Sequence, residues 1–138
     1  MKRLKDSKFG DLAIATAQLW LIVNFGKLDG INRHSSDELY MRKSNPDRIA
    51  IAKVFVSEDT EGFRFDPGLL KTLDDNNFCL IVYPNRSEII IFKKAWLRQY
   101  LNENGFEKDG EGYIVSETLE LESDVTGERG LKYYRGKL

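Results

Sequence analysis

The chain has 138 residues, 41% hydrophobic and 31% charged, a composition that fits one globular domain able to bury a core without metal or disulfide staples. Its 21 basic and 22 acidic side chains leave a formal net charge of -1, which excludes the global basic bias of many nucleic-acid binders and leaves room only for a local basic patch. Cys79 is the single cysteine, so an intramolecular disulfide is excluded and a reducing compartment, the cytoplasm, is the expectation.

Residues 1–8 carry positive charge ahead of an apolar stretch at 12–25. Thr16, Gln18 and Asn24 interrupt that stretch, no small-residue cleavage site follows it, and it is too short to span a bilayer. It therefore reads as a helix over 9–24, closed by Gly26, with no membrane partner. Leu12, Ile14, Leu19, Trp20, Leu21, Ile22 and Val23 surround most of its circumference, and Asp11, Ala15 and Gln18 form a narrow polar stripe. A helix so apolar is expected to lie on a sheet with something further over it, another element or a partner subunit, and Leu19 is expected in the core.

Strands follow. Residues 38–43 form a short one, and 48–56 a stronger one with Ile49, Ile51 and Phe55 on one side and Ala50, Ala52, Val54 and Val56 on the other. Two apolar faces predict a central position, with Ile51 in the core. Residues 63–65 suit a brief return strand. Asp66 and Pro67 open a short helix as N-cap and first helical residue. Residues 78–83 and 88–92 flank the turn sequence 84–87 and predict an antiparallel hairpin. A last helix is expected over 93–104. Residues 113–115 and 131–134 suit edge strands, while 1–7 and 117–138 are expected to be flexible or packed on a partner. The fold class is α+β, a single domain with a mixed or mainly antiparallel central sheet flanked by helices.

An inventory removes much chemistry. One His and one Cys do not make a usual zinc site, and there is no phosphate loop, dinucleotide fingerprint or nucleophile elbow. His34, Ser35, Ser36 and Asp37 include the residue types of a hydrolytic triad, but neighbours on one loop do not arrange its relay by themselves.

One constellation remains. Asp37, Asp47 and Lys53 surround two strands that follow a long helix, with Asn45-Pro46-Asp47 and an apolar strand 49–53 ending in Lys53. This arrangement resembles the core of the PD-(D/E)XK, or restriction-endonuclease-like, nuclease superfamily over roughly residues 9–101. The resemblance implies a metal-dependent nuclease in which Asp37 and Asp47 hold Mg²⁺ and Lys53 orients the nucleophile or stabilises the leaving charge. The chain departs from the motif at two places: Asp47 is only six residues before Lys53, so that Asp37 has the better separation, and Ile51 stands two residues before Lys53, where the family has a carboxylate. Glu58 is the acid left to fill that role.

Two further readings compete. Arg42, Lys43, Arg48, Lys93, Lys94 and Arg98 form two basic groups suited to nucleic-acid phosphates. The apolar first helix and the strand-forming tail instead suit a non-catalytic interaction module that self-associates as a homodimer and needs no cofactor. The interaction module is the preferred reading and the nuclease its alternative.

Overall fold

The structure, a computed structural model, describes residues 1–24, 30–44, 47–60, 63–74, 77–95, 107–109, 112–115 and 133–137. It shows the α+β arrangement expected, a mixed sheet with two helices. In chain order the elements are β1 (Lys2–Arg3), a 3-10 turn at Leu4–Asp6, α1 (Gly10–Asn24), β2 (Gly30–Arg33), β3 (Glu38–Ser44), β4 (Asp47–Val56), β5 (Phe63–Phe65), α2 (Pro67–Leu70), β6 (Phe78–Tyr83), β7 (Glu88–Lys93), β8 (Glu107–Asp109), β9 (Gly112–Val115) and β10 (Tyr133–Lys137). The main sheet runs β10-β7-β6-β4-β3-β2. Its neighbours are antiparallel except β4 and β6, which are parallel and joined by the crossover through β5 and α2.

β4 is central because both its faces are apolar. Ala52, Val54 and Val56 join Leu39, Met41, Leu80, Val82, Ile89 and Ile91 beneath α1. Phe55 points the other way, into a cluster with Phe65, Leu70, Leu73, Cys79, Ile81, Tyr83, Ile90 and Phe92. At Phe55 and Val56 one edge of β4 pairs with β6, so β1 occupies the other edge, in line with β3. The amide of Val54 donates to the Asp37 carbonyl at 2.8 Å just before β3 begins.

α1 lies on the sheet through Ala13, Ile14, Ala17, Trp20 and Leu21, all buried. Their spacing makes one helical stripe, and the two alanines bring the helix axis close to the strands. Gly10 is required at its start, since a Cβ there would sit 2.3 Å from the Leu4 carbonyl oxygen. Asp66 Oδ1 accepts hydrogen bonds from the amides of Gly68 at 2.8 Å and Leu69 at 3.4 Å, the N-cap read from the sequence. Ser87, at φ 51°, takes the left-handed position that lets the 84–86 turn reverse β6 into β7.

Several expectations are corrected. Leu19 is 63% exposed, not core, because the inward stripe is already filled by its neighbours. Ile51 is half-buried. Residues 1–7 are built into the fold: Leu4 is buried against α1 and β1 pairs with β4. β5 does not return to β4 but pairs with β9 in a separate three-stranded sheet, β5-β9-β8. The tail strand at 133–137 pairs with β7 of its own chain. Of the helix expected over 93–104, Lys94 and Ala95 are helical, β7 runs through Lys93, and the part from 96 onward lies outside the described residues. Among the described residues no helix is long and apolar enough to cross a membrane.

Candidate functional site

β3 and β4 bring together one pair of the residues singled out by the nuclease resemblance. Glu38 lies opposite Lys53 in the ladder, which sets Asp37 beside the Lys53 side chain. Lys53 Nζ is 3.9 Å from Asp37 Oδ2 and donates to Thr72 Oγ1 at 3.5 Å, with the Phe55 ring 6.0 Å away. Thr72 in turn donates to the Leu69 carbonyl at 2.6 Å. The hydroxyl of Ser35 lies 3.3 Å from Asp37 Oδ1 and 3.2 Å from Glu38 Oε1. Asp37 and Lys53 are therefore a half-buried ion pair at the seam between the sheet and the segment after α2.

The other members stand elsewhere. Asp47 opens β4 opposite Ser44, six residues from Lys53 along an extended strand, about 20 Å at 3.3 Å per residue. Asp37 and Asp47 are thus at opposite ends of one ladder and do not form a shared metal site. Glu58 is taken by Lys2, with Nζ 2.8 Å from Oε2. The hydrogen bond holds the Glu58 carboxyl below its ordinary range and raises the Lys2 ammonium. Ile51, opposite Tyr40, leaves the remaining ligand position apolar. Among the described residues no three His, Cys, Asp or Glu side chains are grouped to hold a metal ion.

The basic residues divide likewise. Arg42 is exposed on β3, and Lys43 faces Arg48 in the register, at the end of the ladder that projects beyond β6. Lys93 Nζ lies over the Phe78 ring at 5.4 Å. The ammonium of Lys94 donates to the Leu73 carbonyl, and its amide to the Asn77 carbonyl at 3.2 Å. These two lysines tie the end of β7 to neighbouring segments. Arg98 lies outside the described residues.

Two further features stand out, the first of which escapes a reading of the sequence. One is a cavity of about 510 Å³ at the start of α1, lined by Arg3, Lys5, Lys8, Arg33, Asp11 and Asp37 among others. Arg3, Lys5 and Lys8 resemble a leader's charged start in sequence. The buried Leu4 between them is the sign that this stretch is folded. The other is the outer side of α1. Leu12, Leu19, Ile22 and Val23 are 56%, 63%, 54% and 70% exposed, the four exposed large apolar side chains among the described residues.

Cys79 is fully buried in β6, and burial pushes its thiol well up, which makes it a packing residue rather than a nucleophile. Compared with family models, curated proteins and solved structures, the chain finds no match.

Proposed function

We propose that the protein is a non-catalytic binding module that self-associates, with the outer side of α1 as its contact face. The carrying observation is the stripe of Leu12, Leu19, Ile22 and Val23, large apolar side chains left in solvent on a helix whose inner side is already satisfied. Between Asp11 and the end of α1 the sequence holds no charged residue. That face has nothing to offer a charged partner and much to gain from an apolar one, at about 25 cal/mol per Å² removed from water.

A second copy of the chain presents the same stripe, and Leu12 and Leu19 are seven residues apart, the spacing along which paired helices meet. α1 is about 22 Å long at 1.5 Å per residue, so two such helices meet along three to four turns. The test is the solution mass by light scattering at micromolar concentration, for the wild type and for Leu19→Lys. A dimer that becomes a monomer in the variant, with the circular dichroism of the fold retained, supports the reading. A monomeric wild type overturns it.

A further inference from the structure

We propose that the cavity at the start of α1 binds a small phosphorylated ligand through its phosphate group. Its volume, about 510 Å³, lies within the range of sites that take small molecules. Four cations line it, Arg3, Lys5, Lys8 and Arg33, against two carboxylates, Asp11 and Asp37. Asp37 is already engaged by Lys53. Among the described residues none of the four cations is in an ion pair. In a chain of net charge -1, this gathering leaves an excess of two positive charges on one concave surface. A phosphate monoester carries about -1.5 to -2 at neutral pH, a match in sign and size.

The site is also held in shape. Arg33 Nε and Nη2 donate to the carbonyls of Ser35 and Ser36 at 3.2 and 3.1 Å, which fixes the guanidinium and leaves three of its five N–H groups for an anion. Neither bond neutralises its charge. Ser7 Oγ accepts from the Phe9 amide at 3.2 Å, so its own hydroxyl proton is available to a ligand oxygen. Gly10, which also lines the cavity, is packed against the Leu4 carbonyl. The first turn of α1 adds the favourable end of its dipole to what the cations supply.

The experiment is a titration of the full chain at constant ionic strength with inorganic phosphate and with a 5′-mononucleotide, read by calorimetry and by the amide resonances of residues 7–11 and 33–37. Saturable binding is expected, with those resonances moving together. Lys5→Gln and Arg33→Gln should each weaken it roughly tenfold, the loss of one charge-assisted contact, while Lys71→Gln on the exposed turn after α2 should not. Lys5 is exposed, so its variant keeps the fold even if Arg33→Gln disturbs its loop. No saturable heat at tens of millimolar, or equal losses from Lys5→Gln and Lys71→Gln, overturns the proposal. So does an oligonucleotide lacking terminal phosphate that binds these resonances more tightly than the mononucleotide, because the site would then be reading a nucleic-acid backbone.

Discussion

The two faces of the main sheet are covered by different means. Beneath α1 the strands present small and branched aliphatic side chains, among them Ala52, Val54, Val56, Ile89 and Ile91. Over the opposite face, among the described residues, lie β5, four-residue α2 and the turn after it, and there the strands present Phe55, Tyr83 and Phe92, with Phe65 set edge-on to Phe92 at 5.5 Å. A long straight helix needs a level floor, whereas short irregular cover is completed by large rings that fill the gaps. The regular cover has one consequence the irregular one avoids. A 15-residue helix has a second side, and on α1 that side is apolar and bare.

Substitutions can break this contrast. Phe92→Ala on the ring-filled face should cost about 3–5 kcal/mol and Leu21→Ala under α1 about 2–5 kcal/mol, since each empties a fully buried site; urea melts read both. A loss below about 1 kcal/mol at either site would mean that its cover is loose enough to collapse into the space. Asp66→Ala removes the cap of α2 and should cost about 1 kcal/mol, with α2 alone losing amide protection. Leu19→Ala, two residues from Leu21 on the other side of α1, should change monomer stability by less than about 0.5 kcal/mol in dilute solution. A loss as large as that of Leu21→Ala would place Leu19 inside.

The smallest effect expected is at β1. Because Glu58 titrates below its ordinary value when paired with Lys2, the pair supports the fold above that value and ceases to do so as pH falls through the lowered one. The pair is exposed, so Lys2→Met should lower the melting temperature only slightly at pH 7, and the difference should vanish in acid strong enough to protonate the paired Glu58. A difference that persists in acid would assign the effect to packing of the Lys2 stem.

Local signals made much of the fold legible. The bounds of α1, the two-faced strand β4, the β6–β7 hairpin and the Asp66 cap each follow from periodicity or turn chemistry within a few residues. The orientation of α1 was not legible, because a helix apolar on both sides has no preferred direction until the sheet chooses one. Ala13 and Ala17 face inward because they allow close approach, although Leu19 is the more hydrophobic. Parallel pairing of β4 with β6, and the return of β10 to β7, depend on contacts between distant segments. The Asp37–Lys53 pair was visible as a resemblance, yet the strand rise already separates Asp47 from Lys53. The cavity was hidden because its cations come from both sides of α1, Arg3, Lys5 and Lys8 before it and Arg33 after it.

The place of β10 gives the nascent chain a problem of timing. β7 presents Ile89, Ile90, Ile91 and Phe92 in unbroken succession, and one of its edges is occupied by β6 while the other waits for residues 133–137. Residues 94–132 must be added first, a matter of seconds at about 5–20 residues per second of synthesis. During that interval the most β-prone segment of the chain has an open row of amides and carbonyls, available to any other extended strand that meets it on the ribosome or after release. The guard of this edge is therefore made well after the strand it protects, and slowing synthesis between residues 94 and 132 should raise aggregation of the newly made protein without touching the stability of the finished one.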